Sequence, residues 1–210
     1  MWNKAEAELR EVLNELGIEY TEEIGEAAFY GPKLDVNVKP AVGNEYTLST
    51  CQLDFCLPAK FDLKYVDEDG SKKTPVVLHR AILGSLDRFM AYILEETKGV
   101  LPVWLSPVQV NIIPVNNEYH LNYAKEIYDL LDKENIRVKL DDRNEKLSYK
   151  MRESQTKKVP YTLILGDNEK NADTITVRLH GTNENINIDK CEFVNKIKEV
   201  IKNKNIKYDL

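Results

Sequence analysis

The chain has 210 residues, of which 42% are hydrophobic and 30% charged, a composition typical of a globular protein with one large domain or two small ones. Its net charge of −6 argues against indiscriminate nucleic-acid binding, although it leaves room for a local basic patch. No apolar run reaches the roughly 18 residues of a membrane helix, and the charged start does not resemble a signal peptide. Three cysteines, Cys51, Cys56 and Cys191, make no disulfide framework and favour a reducing compartment.

The first residues predict a helix followed by an antiparallel hairpin. Apolar residues recur at helical spacing from Trp2 to Leu16, and Gly17 ends the pattern. Apolar and polar residues then alternate in two stretches joined by a Gly43-Asn44 turn, namely 29–40 and 45–57. In the second stretch, the alternation places Thr50, Gln52 and Asp54 on one face, and Ser49, Cys51, Leu53 and Phe55 on a more apolar face.

Residues 75–89 predict a short buried strand that runs into a helix ending near Gly99. Gly84 would lie inside that helix, where glycine costs about 1 kcal/mol relative to alanine. The side chains near it are an imidazole, a hydroxyl and a guanidinium, and together these groups suit a metal, a small polar molecule and a phosphate. They belong to His79, Ser85 and Arg88. The alternative is an amphipathic helix with a capping histidine and a solvated arginine.

Two prolines in residues 101–107 predict a domain boundary, which divides the chain into 1–101 and 102–210. Beyond it, strands alternate with helices and end in a hairpin and a closing helix. The predicted strands are 108–115, 136–140, 160–165 and 174–179, and the predicted helices are 118–134, 145–157 and 191–201. We therefore predict an α/β fold class: an α+β part with an antiparallel sheet, then an α/β domain whose mixed sheet is covered on both faces.

The string PVVLHRAILGSLDRF at residues 75–89 resembles the third signature motif of class II aminoacyl-tRNA synthetases, in the form found in threonyl-tRNA synthetases. The resemblance covers nearly the whole chain, through FYGPKLDV, LSTCQLDFCLP, LPVWLSPVQV, IRVKLDDRNEKLSYKMRE and KKVPYTLILGD. It implies that residues 1–101 are the C-terminal portion of a catalytic domain, without the first two motifs, and that residues 102–210 are an anticodon-binding domain. The implied enzyme is a cytoplasmic threonine–tRNA ligase that uses ATP with Mg²⁺, acts on threonine and threonine tRNA, and has no membrane partner. Family members form homodimers through the first motif.

The resemblance also implies roles for individual residues of the first part. Tyr30 would hold the threonine amine, Thr50, Gln52 and Ser85 would line the amino-acid and ATP pocket, and Arg88 would be the catalytic arginine that contacts adenine and the terminal phosphate of ATP. His79 would be one of three zinc ligands, with the other two expected upstream of Met1. Without the resemblance, a lone histidine at a strand end is more often a satisfied core residue. Thr47 stands where some family members have glutamine, so no adenine contact is assigned to it.

For the second domain, the resemblance implies an anticodon contact at four positions: Asn144, Arg152, Glu169 and Arg178. Planar donors and acceptors of this kind read the bases of single-stranded loops. Four lysines are expected to form a basic patch, with Lys158 in place of a family arginine: Lys146, Lys150, Lys157 and Lys158. The alternative for each charge is plain solvation. His120 and His180 are predicted to be surface residues without partners.

We therefore expect the C-terminal part of a threonine–tRNA ligase that is inactive by itself and holds little zinc, because the motif-two arginine and two zinc ligands are missing. One alternative is a non-catalytic tRNA-binding paralogue or module. Another is a short natural synthetase whose first two motifs come from a separate subunit. We also expect residues 102–210 to fold alone and to carry the tRNA specificity.

Overall fold

The computed structural model describes residues 1–41 and 43–208, and the chain separates into two compact units, Met1–Glu96 and Thr97–Leu210. Both units combine helices with strands, which confirms the α/β fold class. Among the described residues, none of the helices has both the length and the apolar composition needed to cross a membrane.

The first unit is built around a three-stranded antiparallel sheet with the order β1-β2-β5. Gly17, with a φ of +63°, follows the first helix as predicted. The hairpin predicted from the alternation is confirmed as β1 and β2. The elements are α1 (Trp2–Glu15), β1 (Lys33–Val38), β2 (Tyr46–Asp54), α2 (Leu57–Lys60), β3 (Tyr65–Val66), β4 (Lys72–Lys73), β5 (Val77–Ala81) and α3 (Leu86–Glu96).

Gly84 corrects the prediction of a strand that runs directly into a helix. It lies in the turn between β5 and α3 with a φ of +63°, and a Cβ atom there would be 2.9 Å from the carbonyl oxygen of Leu48. The apolar spacing of residues 82–94 is helical, but the backbone conformation at Gly84 delays the helix until Leu86. The strand before it is not buried either, since 57% of Leu78 is exposed.

The second unit contains a five-stranded mixed sheet with the order β10-β9-β8-β6-β7. β6 runs parallel to β7 and β8, whereas β8–β9 and β9–β10 are antiparallel, as the predicted mixed sheet required. Its elements are β6 (Val110–Pro114), α4 (Asn117–Lys133), β7 (Val138–Leu140), α5 (Leu147–Thr156), β8 (Tyr161–Leu165), α6 (Asp167–Ala172), β9 (Thr174–Leu179), β10 (Ile186–Asp189) and α7 (Lys190–Lys202). The short helix α6 was not predicted, because its six residues carry no readable apolar period.

The two faces of this sheet differ sharply. On one face, strand residues such as Leu163 and Val177 pack with α4 and α7 in a fully buried core, where the rings of Tyr161 and Phe193 meet edge to face at 5.7 Å. We call the opposite face the α5 face; its cross-strand neighbours are Asn111, Thr162, Thr176, Arg178 and Asn187. α5 covers part of it, with Ser154 Oγ 2.7 Å from Thr162 Oγ1. The rest of the α5 face stays only partly covered.

The two histidines that were predicted to be surface residues are placed differently by the tertiary structure. His120 is buried, not at the surface: its Nδ1 accepts the Asn116 N–H at 3.1 Å, and its Nε2 lies 3.0 Å from Asp167 Oδ1. His180 is half-buried. Cys191 is exposed at the start of α7, and Cys51 and Cys56 are only half-buried.

Two residues of the segment 97–101 accept hydrogen bonds from side chains of the second unit. The hydroxyl groups of Tyr208 and Ser106 donate to the carbonyl oxygen of Leu101 at 2.8 and 3.1 Å, and Lys158 Nζ donates to the carbonyl oxygen of Lys98. These contacts attach the segment to Tyr208, to Ser106 and to the turn that follows α5.

We predict that an isolated segment 97–210 is more stable than a segment 102–210. The three lost hydrogen bonds cost about 0.5–1.5 kcal/mol each, so urea unfolding followed by circular dichroism should show a loss of about 1.5–4.5 kcal/mol for the shorter segment. Tyr208→Phe in the longer segment removes one of these bonds and should account for about 1 kcal/mol. Equal unfolding midpoints for the two segments would contradict the expected role of residues 97–101.

Candidate functional site

In the first unit, polar side chains collect on one face of the sheet, which we call the network face (Lys33, Asp35, Thr50, Gln52, Asp54 and His79). The register pairs Gln52 with Lys33 on one side and with His79 on the other, and it pairs Thr50 with Asp35. Directly paired residues point to the same face of a sheet, and so do residues two apart along a strand. The predicted grouping of Thr50, Gln52 and Asp54 is therefore confirmed.

A run of hydrogen bonds joins Tyr30 to this face. The Tyr30 hydroxyl donates to Gln52 Oε1, Gln52 Nε2 donates to Thr50 Oγ1 at 3.0 Å, and the Thr50 hydroxyl donates to Asp35 Oδ1 at 2.6 Å. Lys33 Nζ lies 2.6 Å from the other Asp35 oxygen. Burial opposes ionisation of Asp35 most strongly, yet the bonds from Lys33 and Thr50 hold its pKa below the ordinary value. Each of these half-buried side chains is thus held in one orientation.

The backbone beside Tyr30 is held equally tightly. Its carbonyl oxygen accepts the N–H of Phe55 at 2.9 Å, and the next residue, Gly31, passes directly over Leu53. A Cβ atom at Gly31 would be 2.0 Å from the Leu53 carbonyl oxygen, so only glycine allows this approach. Tyr30 is therefore fixed at the end of β2 next to Gln52.

His79, the predicted metal ligand, lies across the strand from Gln52 with its ring centroid 5.9 Å from that of Tyr30. Its Nε2 is 2.8 Å from Asp54 Oδ2, and 43% of its side chain is exposed. Asp54 is fully buried, and its Oδ1 accepts the N–H groups of Cys56 and Leu57. Burial raises the pKa of Asp54, but the bonds from His79 and the two backbone amides outweigh it and lower the pKa.

The structure supplies one imidazole here and no complete metal site. Within residues 1–41 and 43–208, no three histidine, cysteine, aspartate or glutamate side chains are grouped as metal ligands. His79 has the chemistry of one zinc ligand, because a neutral imidazole nitrogen is a usual donor to zinc. His79 therefore fits a zinc site as one of several protein ligands.

Ser85 and Arg88 stand at the start of α3, apart from the hydrogen-bonded run. Ser85 Oγ accepts the backbone N–H of Arg88 at 3.4 Å, so it caps the helix. The guanidinium carbon of Arg88 lies 5.9 Å from the ring centroid of Tyr46, the first residue of β2. An arginine over an aromatic ring at this distance makes a cation–π contact. The exposed guanidinium therefore lies near the start of β2.

In the second unit, Glu169 connects α6 to β9. Its two carboxylate oxygens accept the N–H of Gly166 at 2.8 Å and the hydroxyl of Thr176 at 2.7 Å. Burial is the strongest influence and opposes ionisation, but these two hydrogen bonds hold the pKa of Glu169 below its ordinary value. The carboxylate is thus fixed at the edge of the α5 face.

The other predicted anticodon residues lie around the same face. Arg178 belongs to it directly, and its Nε donates to Asn185 Oδ1 at 2.9 Å. Gln155 Oε1 on α5 accepts the N–H of Gly181, just after β9. Arg152 precedes Gln155 by three residues, so the two side chains share one flank of α5. Arg152 is exposed.

Asn144 lies in a separate cleft of about 330 Å³ at the start of α4 and α5. The cleft is lined by Val115, Asn116, Asn117, Glu118, Arg143, Asn144, Glu145 and Lys150. Arg143 donates to both carboxylate oxygens of Asp141, at 2.7 and 2.6 Å, and also to Glu153. These bonds raise the pKa of Arg143 and orient the loop that carries Asn144.

The predicted basic patch is wrong for Lys150. That side chain is buried, and its Nζ donates to the carbonyl oxygen of Asp141 at 2.9 Å. Helical spacing alone did not show that this lysine points inward. The side-chain nitrogen of Lys157 donates to Glu153, and that of Lys158 donates to Lys98. Among the described residues, Lys146 is therefore the one lysine of the predicted patch whose side-chain nitrogen has no hydrogen-bond or ion-pair partner.

Sequence reasoning gave no role to Asp35, Asp54 or Asp141. Asp35 and Asp54 hold the candidate residues Thr50 and His79, and Asp141 holds Arg143 in the loop that carries Asn144. For Asp35 and Asp54 a usable signal existed, because strand alternation puts both on the same face as Thr50. For Asp141 there was none, because its contact with Arg143 depends on the conformation of the loop before α5, which has no repeating pattern.

The chain is similar to known proteins in both of its units. Residues 1–97 match the family model described as tRNA synthetase class II core domain (G, H, P, S and T), and residues 109–200 match the one described as Anticodon binding domain. The chain is 53% identical over 194 residues, 92% of its length, to a threonine–tRNA ligase of Listeria welshimeri, and 51% identical over 99% of its length to that of Oceanobacillus iheyensis. It spans about a third of the length of these relatives, 30% and 32%.

Two solved structures are also similar. The RNA-binding domain of threonyl-tRNA synthetase from Cryptosporidium parvum matches with a TM-score of 0.85 and 34% identity, over 95% of this chain and 50% of that one. Prolyl-tRNA synthetase from the same organism matches with a TM-score of 0.70 at 24% identity, over 87% of this chain and 41% of that one, which supports the fold alone.

We predict that Asp141→Asn flattens the acid dependence of stability. The bidentate bond from Arg143 is the main cause of the lowered pKa of Asp141. A lowered pKa stabilises the fold fully above the ordinary aspartate value of about 3.9, and the contribution is lost as the pH falls through the lowered pKa. The midpoint of urea unfolding of the whole chain should therefore be lower in the variant than in the wild type at pH 7. As the pH falls to about 3, the midpoint should decrease less steeply in the variant. Asp142→Asn, a change at the exposed neighbour, is the control, and identical acid profiles for the two variants would refute the assignment.

Proposed function

We propose, since this chain belongs to the threonyl-tRNA synthetases of class II, that its first unit contributes to the activation of threonine by ATP and that its second unit binds the anticodon of threonine tRNA. The reaction would form threonyl adenylate with release of pyrophosphate, and then transfer threonine to the 3′ end of the tRNA in the cytoplasm. The observation that carries this proposal is the network face, which brings Tyr30, Thr50, Gln52 and His79 together.

On the network face, threonine would bind where Tyr30 and Gln52 meet. The Tyr30 hydroxyl has a second lone pair that can accept from an ammonium group, and Gln52 Oε1 is a further acceptor. Both side chains are held by hydrogen bonds in the free protein, so little rotamer freedom is lost when a ligand binds. Thr50, fixed by Asp35, would line the same pocket.

Arg88 would bind ATP. Its guanidinium is exposed above Tyr46, and a planar cation of this kind can both stack on adenine and bond a terminal phosphate through two N–H groups. Ser85 fixes the first turn of α3, and with it the base of the arginine side chain. Mg²⁺ would accompany the nucleotide as the charge partner of its phosphates.

His79 would serve as one zinc ligand. Zinc bound in such a site would supply an electrophilic centre for the amine and hydroxyl of threonine, which would discriminate against valine because valine has no hydroxyl to offer. His79 would contribute an imidazole whose orientation is fixed by the hydrogen bond to Asp54. Tyr30 packs against the ring on the side of the proposed threonine pocket.

In the second unit, anticodon bases would be read on and beside the α5 face. Arg178 and Arg152 offer planar hydrogen-bond donors, and Glu169 offers an oriented acceptor. Asn144, in the neighbouring cleft, offers one donor group and one acceptor. Single-stranded loops present unpaired base edges to such groups. The net charge of −6 means that attraction to phosphates alone does not explain tRNA binding, so these specific contacts would have to supply it.

A second candidate, a tRNA-binding module without chemistry of its own, is favoured by one observation: the network face has a single imidazole, and the described residues contain no grouped set of three metal ligands. The two candidates differ in what the first unit does with ATP.

We predict that the chain alone catalyses no ATP–pyrophosphate exchange above background with threonine, because the described residues hold no complete metal site and the resemblance assigns no motif-two arginine to this chain. It should still bind ATP with Mg²⁺, seen as chemical-shift changes of backbone amides near Tyr46 and Arg88. Arg88→Ala should weaken this binding about 10- to 150-fold, because a hydrogen bond to a charged group contributes about 1.5–3 kcal/mol. Lys4→Ala on α1 is the control. Absence of ATP-dependent shifts in residues 1–96 would favour the binding module, and threonine-dependent exchange would refute the first expectation.

We predict that Arg152→Ala lowers the affinity of the whole chain for threonine tRNA and removes its preference over an anticodon-swapped version. A bidentate contact to a base is worth about 1–3 kcal/mol, so the loss should be about 5- to 150-fold at a fixed salt concentration of about 0.15 M. Lys202→Ala is the charge-matched control, because α7 packs on the sheet face opposite the α5 face. The anticodon assignment fails if wild type binds both tRNAs equally and Arg152→Ala changes neither.

A further inference from the structure

Asp54 is the only fully buried charged side chain among the described residues of the first unit. An unpaired carboxylate in that position would be costly, so the donors around it are informative. Its Oδ1 accepts the N–H groups of Cys56 and Leu57, both at 2.9 Å, at the start of α2. Its Oδ2 has one side-chain partner, Nε2 of His79 at 2.8 Å.

These contacts decide where the His79 proton is. An ionised carboxylate can only accept hydrogen bonds, so the nitrogen that faces it must carry hydrogen. In a neutral imidazole the other nitrogen then carries a lone pair. The hydrogen bond that Nε2–H donates to Asp54 thus sets the ring as the Nε2–H tautomer and leaves Nδ1 as the acceptor.

We propose that Asp54 is a positioning residue for His79: it holds the ring proton on Nε2, fixes the ring plane, and presents Nδ1 as the atom that ligates a metal. The proposal rests on the proposed function only for the identity of the metal, zinc. A carboxylate bonded to the far nitrogen of a ligating histidine orients the ring and raises the basicity of the nitrogen that binds. His79 is 43% exposed whereas its partner is fully buried, so the fixed end of the ring is the Nε2 end.

A second histidine–aspartate pair in the same chain provides a contrast. His120 Nε2 faces Asp167, but the Nδ1 of that ring accepts the N–H of Asn116, and the Asp167 side chain is 83% exposed. Both nitrogens of His120 are therefore engaged, and the backbone alone would set its tautomer. Only the pair in the first unit leaves a ring nitrogen for a ligand.

The test is the protonation pattern of the three imidazoles in the ¹⁵N-labelled whole chain, read from long-range ¹H–¹⁵N correlation spectra at a pH of about 8.5, where free imidazole is neutral. His79→Gln and His120→Gln assign the signals. In the wild type, His79 should show a protonated Nε2 and an unprotonated Nδ1. In Asp54→Asn, the amide oxygen can keep the two backbone bonds while the amide nitrogen donates to Nε2, so the ring proton should move to Nδ1.

Asp167→Asn is the matched control and should leave the tautomer of His79 unchanged. A wild-type His79 with hydrogen on Nδ1, in either the other neutral tautomer or the doubly protonated ring, overturns the proposal. So does a folded Asp54→Asn that keeps the Nε2–H tautomer, since Asp54 would then be only structural. If Asp54→Asn does not fold, the wild-type spectrum still decides. The tautomer is independent of ATP and tRNA binding, so failure of the proposed function and failure of this inference are separate results.

Discussion

Strand alternation is the constraint on which both candidate sites depend. In the first sheet, the pairing of β2 with β1 and β5 brings side chains from three separate strands to one face. In the second sheet, the alternate residues of β8 divide between a dry core and the polar α5 face, as Tyr161 and Thr162 show. A shift of one residue in either register would move the polar residues to the opposite face of the sheet.

The two units are stabilised in different ways. The second has a continuous core in which strands β6, β8 and β9 are sealed by α4 and α7. Among the described residues of the first unit, Ala5 is the one buried hydrophobic residue, and Leu78 on β5 is largely exposed. The first unit is held mainly by backbone ladders and by the hydrogen bonds of the network face. Polar contacts contribute less net free energy than apolar burial, so they specify geometry more than they add stability.

Buried or half-buried carboxylates recur as anchors at both candidate sites. Asp54 holds His79, Asp141 holds Arg143, and Glu169 holds Thr176. In each case bonds to the ionised form lower the pKa, against the effect of burial. A charge-assisted hydrogen bond is about twice as strong as a neutral one, which makes a carboxylate an effective anchor for a side chain that must keep its orientation.

The sequence by itself determined the family, the order of most elements, the hairpin and the shared face of Thr50, Gln52 and Asp54, because these follow from motifs and from periods of two and 3.6 residues. It did not determine where Gly84 interrupts the helical spacing, since a left-handed residue is invisible to an apolar period. It also misplaced Lys150 and His120, and it assigned no partner to His79. Those outcomes were decided by contacts between residues 9 to 47 positions apart in the chain, and only the tertiary structure brings such residues within hydrogen-bonding distance.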